Sequence, residues 1–181
     1  RWAFDHTHIS QVRGASLLEV HNSHPQNNIY GAPGKPSDEE TWDRVLSSGR
    51  VLFGTATDDS HNYHDWHPSM SNPGRGWVMV AAKELSVSSI VEALTTGDFY
   101  FSTGVSLVSD VTTKTEITLE IEEEKDFIYK TIFSGQNGDV LSQSVGASAT
   151  YKITGNETYV RATIYSSAGG KAWTQPVFVE R

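Results

Sequence analysis

At 181 residues, with 37% hydrophobic and 20% charged, the chain has room for one ordinary domain or two small ones, and its composition excludes general disorder. A formal net charge of −8 argues against a sequence-independent grip on nucleic acid, which needs Lys and Arg to neutralise phosphates. The lack of cysteine excludes disulfides and thiolate metal sites, so any metal must be held by His, Asp and Glu.

The chain opens on Arg1-Trp2-Ala3-Phe4-Asp5, which reads like the middle of a strand, so a native start is expected to be missing and the compartment is not legible. No apolar run approaches the length of a membrane span, and a soluble protein is expected. Short continuous apolar runs at Trp2 to Phe4, Leu17 to Val20, Val51 to Phe53 and Trp77 to Ala82 have the pattern of buried parallel strands. Between them, Ser37-Asp38-Glu39-Glu40 is a capping box that starts a helix burying Trp42, Val45 and Leu46 and stopping at Gly49. A second helix is predicted from Ser86 to Gly97, with Ile90, Val91 and Leu94 on one face. From about Asp110 the pattern changes to period two, at 116–121, 127–133, 150–153, 159–164 and 176–179, as in a small antiparallel β-sandwich.

All seven histidines fall in the first 67 residues, which makes that part the chemical half. In parallel α/β sheets, metals and substrates sit at the carboxyl ends of strands. The first predicted strand is followed by Asp5, His6 and His8, the second by His21, Asn22 and His24, and the third by Asp58, Asp59, His61 and His64. A mixed imidazole and carboxylate set of this kind suits Zn, Mn or Fe, and two or more such ions could activate a water and clamp a phosphoryl group. Blander readings stand beside this one. His6 and His8 also fit an exposed pair near a terminus, and Glu19 fits either a group close to the metal or an edge residue pointing outward. His21, His24, His64 and His67 fit substrate-loop or solvent positions. Residues 62–76 form a long loop of the kind that covers active sites, in which Arg75 reads either as a phosphate receptor or as a surface residue.

Four stretches, Leu18-Glu19-Val20-His21-Asn22, Gly54-Thr55-Ala56-Thr57-Asp58-Asp59-Ser60-His61, Gly74-Arg75-Gly76-Trp77-Val78, and Ile90 to Leu94 running into Gly97-Asp98-Phe99-Tyr100-Phe101-Ser102-Thr103-Gly104, resemble in order and spacing the later part of PHP (polymerase and histidinol phosphatase) domain hydrolases. The resemblance covers about residues 1 to 105. It implies the C-terminal part of a distorted seven-stranded β/α barrel over residues 1–107, followed by an antiparallel β-sandwich over 108–181, an α/β plus all-β chain. It further implies a metal-dependent phosphoesterase that acts on a small phosphorylated substrate. Asp59 and His61 match the late Asp-x-His ligand pair, and His6 matches the histidine of the usual His-Pro motif, with Thr7 in place of proline and His8 as the alternative. The family's opening His-x-His strand has no counterpart here, so the chain reads as a fragment with an incomplete ligand set, in which the divalent ions would be partly occupied or absent. Lys171 to Val179 resembles the closing strand of the sandwich appended to one branch of the family. Two other expectations follow. A partial barrel would leave an unpaired edge open to homodimerisation, and the chain would alternatively be a non-catalytic module binding carbohydrate or protein through Trp173, Tyr159, Tyr151 and Tyr165 on a degenerate scaffold.

Overall fold

The structure, a computed structural model, describes residues 2–179. Ahead of Leu17 the chain is not a strand. Asp5 accepts hydrogen bonds from the backbone N–H groups of Thr7 and His8, and this cap starts helix α1 (His6–Gln11). Hydrogen bonds from the Thr7 hydroxyl, then from His8, hold the Asp5 carboxyl well below the usual carboxylate range. Trp2 to Phe4, expected as a strand, are irregular, and the short helix that follows them carries His6 and His8.

Strands β1 (Leu17–Asn22) and β2 (Phe53–Thr57) run parallel, with Leu17 opposite Phe53 and Asn22 opposite Thr57. Helix α2 (Asp38–Ser47) crosses between them and starts at the capping box, in which Ser37 Oγ accepts from Glu40 N and the Glu40 carboxylate accepts from Ser37 N. Its buried face carries Trp42, Val45 and Leu46, and the Trp42 indole N–H donates to Leu52 O at 2.8 Å. On the side of β2 away from β1 there is no neighbouring strand at Gly54. The Gln175 carboxamide takes that place, accepting from Gly54 N at 2.8 Å and donating to Gly54 O at 2.9 Å. Gly54 has to be glycine, because a Cβ there would stand 2.6 Å from Phe101 and 3.0 Å from Trp42.

Beyond β2 the parallel pattern stops. Residues 58–76 contain no helix, so the chain re-enters as β3 (Trp77–Val80) without the crossover a further parallel strand needs. After helix α3 (Val87–Thr96), β4 (Phe99–Ser102) returns antiparallel to β3. The remaining strands are β5 (Leu107–Thr112), β6 (Glu116–Ile121), β7 (Tyr129–Ser134), β8 (Val140–Val145), β9 (Ser148–Lys152), β10 (Tyr159–Ser166), β11 (Lys171–Trp173) and β12 (Val177–Phe178). One sheet has the order β3-β4-β11-β10-β7-β8, with β12 also on β10, and a second has the order β5-β6-β9. Every pairing outside β1–β2 is antiparallel. The expected part-barrel of (β/α)7 type followed by a separate small sandwich is therefore not what the chain forms. The described residues hold three α-helices, one parallel pair and no closed barrel, and a single antiparallel sheet joins β3 and β4 to the later strands.

Two buried clusters hold this arrangement. Ile117, Leu119, Ile121 and Ala149 of the smaller sheet pack with Tyr129, Phe133, Val160, Ala162 and Ile164 of the larger. Val20, Trp42, Leu46, Ala56, Phe101, Tyr159 and Trp173 join α2 and the parallel pair to the same large sheet from its other side. In this second cluster Phe101 and Trp173 stack at 4.9 Å and 9°, and Trp42 meets Phe101 edge-on at 5.6 Å. The cluster is closed by an ion pair out of water. Arg161 Nε and Nη2 donate to Asp43 Oδ1 and Oδ2 at 2.7 and 2.6 Å, and Tyr159 Oη donates to Oδ1 at 2.7 Å. No helix among the described residues is long and apolar enough to cross a membrane.

Candidate functional site

The carboxyl ends of β1 and β2 lie side by side, and five polar residues gather there. Asn22, almost buried, donates through Nδ2 to Glu19 Oε2 at 3.1 Å and to Asp59 Oδ2 at 3.3 Å. Its Oδ1 accepts from His24 N at 2.9 Å. Glu19 itself faces solvent and accepts from Thr57 Oγ1 at 2.6 Å, so the polar residue inside an apolar strand is both an edge residue and a neighbour of Asp59. Asp59 adopts a left-handed backbone (φ +48°), a conformation Asp tolerates better than most side chains. His61 Nδ1 lies 2.7 Å from Asp59 O and 3.8 Å from Asp59 Oδ1, and the His24 ring meets the His61 ring edge-on at 5.9 Å. An Nδ1–H given to the Asp59 carbonyl leaves the lone pair of the imidazole on Nε2, where it is available to a ligand.

Asp58 and Arg75 build the loop that leads out of this end. The Asp58 carboxylate accepts from the backbone N–H groups of Gly74, Arg75 and Gly76 at 3.0, 2.6 and 2.9 Å. Partial burial pushes its pKa up, but the N–H groups of Arg75, Gly76 and Gly74 outweigh this and keep the carboxyl below its ordinary value. The Arg75 guanidinium donates to His67 O, Pro68 O and Asn72 Oδ1, so it clamps the loop. Asn72, fully buried, is the hub, with its Nδ2 on Asn62 O and Asp65 O and its Oδ1 accepting from His67 N and Arg75. Gly76 is required by crowding, since a Cβ there would sit 2.7 Å from Thr57 O and from Ser23 Oγ.

Four expected positions are not brought to this end. His6 and His8 sit on α1, where His8 Nδ1 pairs with Asp5 at 2.7 Å, and His64 is exposed in the loop. His21, though on β1, turns its ring to Trp173, 5.5 Å away. Among the aromatics proposed as a sugar platform, Tyr159 is fully buried, Trp173 nearly so, Tyr151 is tied to Glu157, and Tyr165 is half-buried with the Lys171 ammonium over its ring. Sequence reasoning passed over Asn72, Glu39, Tyr30 and Gln175, whose roles depend on contacts far along the chain or inside a loop without periodicity.

A carboxylate and an imidazole are donors that a borderline divalent ion takes, and Asp59 and His61 bring one of each to this end. No group of three or more His, Asp or Glu placed to hold an ion occurs among the described residues. The chain matches no family model, no curated protein and no solved structure.

Proposed function

We propose that the carboxyl end of the β1–β2 pair is part of a metal-dependent phosphoesterase centre of the PHP type, with Asp59 and His61 as ligands of a Zn, Mn or Fe ion. The observation that carries this reading is the convergence itself: two parallel strands deliver Glu19, Asn22, His24, Asp59 and His61 to one end, although Glu19 and His61 are far apart in sequence. The reading rests on this geometry and on the ordered motifs around it, and it needs no barrel.

When bound, the ion would supply an activated water and positive charge for a small phosphorylated substrate. The chain's own residues orient the donors. The Asn22 amide holds the Glu19 and Asp59 carboxylates in register, the Asp59 carbonyl fixes the tautomer of His61, and Asp58 secures the loop behind them. Two ligands leave the rest of an ion's coordination to water. Metal content after equilibration with Zn2+ or Mn2+ tests the reading. Bound metal is expected to fall with Asp59→Ala and with His61→Ala, whereas binding that neither substitution alters, or no binding at all, refutes it.

A further inference from the structure

A second polar site lies beside β1, away from Asp59 and His61. A cavity of about 180 Å³ is lined by Val20, His21, Tyr30, Glu39, Lys171 and Trp173. Its polar groups are incompletely matched to one another. Glu39 Oε1 is taken by Thr163 Oγ1 at 2.9 Å and Arg161 Nη1 at 3.0 Å, while its second oxygen accepts no hydrogen bond among the described residues. Trp173 is only 2% exposed, yet its indole N–H has no hydrogen-bond partner. It lies close enough to Glu39 to favour the ionised carboxyl without reaching hydrogen-bond geometry. The Lys171 ammonium stands over three rings, at 4.9 Å from Tyr165, 5.6 Å from Tyr30 and 5.8 Å from Trp173, and has no ion-pair partner among the described residues.

The charges select the ligand. Arg161 and Lys171 balance Asp43 and Glu39, so an anion would meet Glu39 and a cation would meet Lys171. His21 is neutral near pH 7, because burial first, then Lys171, pulls its pKa below the ordinary histidine value. A hydroxyl group meets both charged partners at once, accepting from the Lys171 ammonium and donating to the second oxygen of Glu39. Tyr30, 75% exposed, adds an apolar ring face at the rim. At about 30 Å³ for each water displaced, the cavity has room for one small ring.

We propose that this cavity binds the hydroxylated six-membered ring of a sugar or cyclitol, held by Lys171 and Glu39 with Tyr30 against its face. The site uses neither Asp59 nor His61, so it stands whether or not the metal reading does.

Isothermal titration calorimetry in chelator-containing buffer tests it, with D-glucose, D-galactose, myo-inositol and inorganic phosphate as separate probes. At least one of the three rings is expected to bind saturably, preference between the sugars and myo-inositol identifying the source. Kd should rise about tenfold in Tyr30→Ala and in Lys171→Met, the loss of one ring contact or one charge-assisted hydrogen bond. Tyr30 is exposed, so that variant folds and keeps the test decisive. No saturable binding of any ring, binding unaffected by both substitutions, or a preference for phosphate would each overturn the proposal.

Discussion

Replacing Asp43 by Ala tests how α2 is fastened to the large sheet. Arg161 is 2% exposed and Asp43 3% exposed, and their two-pronged contact at 2.6 and 2.7 Å is reinforced by Tyr159. Burial alone would lower the Arg161 pKa, but Asp43, then Glu39, holds it above its ordinary value, so the guanidinium stays charged at any working pH. Asp43→Ala therefore strands a buried cation. Glu39 at 3.0 Å compensates in part, yet it already accepts from Thr163 and lies nearer the surface. Breaking a buried pair from one side costs about 3–5 kcal/mol. Replacing both partners, as in Asp43→Leu with Arg161→Met, removes the stranded charge and should recover most of that loss. Urea unfolding followed by tryptophan fluorescence measures all three proteins, with Trp42 and Trp173 reporting from the cluster next to the pair. A cost below about 1 kcal/mol for Asp43→Ala, within the range of a surface ion pair, refutes the reasoning, as does a double variant no more stable than the single one.

For Glu157, burial raises the pKa but the hydrogen bonds from Tyr151 and Thr154 outweigh it and bring it down to about 2. Its stabilisation is thus present above the ordinary 4.5 and disappears as pH falls through about 2. Glu157→Gln should cost about 2 kcal/mol near neutral pH, with the gap to wild type closing in acid. Gly54→Ala forces a methyl against Phe101 and Trp42 and should cost about 1–3 kcal/mol in thermal or urea unfolding. Light scattering over a concentration series should show self-association through the unpaired edge of β1, and a monomer throughout would refute that.

The local signals in the sequence were the ones that translated directly into structure. Ser37 and Glu40 form the predicted reciprocal cap, and Ser86 and Gly97 bound the second helix, because caps depend on residues three or four positions apart. The placement of Asn22, Asp59 and His61 at neighbouring strand ends was also legible, since strand direction and the residues that follow decide it. What failed was long-range. The run Trp77 to Val80 reads like a buried parallel strand, but an apolar run carries no mark of its partner's direction, and here it pairs antiparallel with β4. Trp2 to Phe4 are irregular, and the Asp5 cap starts a helix directly after them. The contacts of Arg75 within its loop depend on the buried carboxamide of Asn72, which is invisible to periodicity.

The Gln175 carboxamide makes the parallel ladder lopsided. By occupying both hydrogen-bonding groups of Gly54, it terminates the ladder on the β2 side, while β1 has no second neighbour among the described residues. Any strand that widens the ladder must therefore arrive alongside Leu17–Asn22. If it runs parallel, its carboxyl end is delivered next to Glu19 and Asn22, within reach of Asp59 and His61. Lateral growth of the ladder and the arrival of new side chains at that end become one event, so one side chain on the far flank dictates from which direction the ladder can grow.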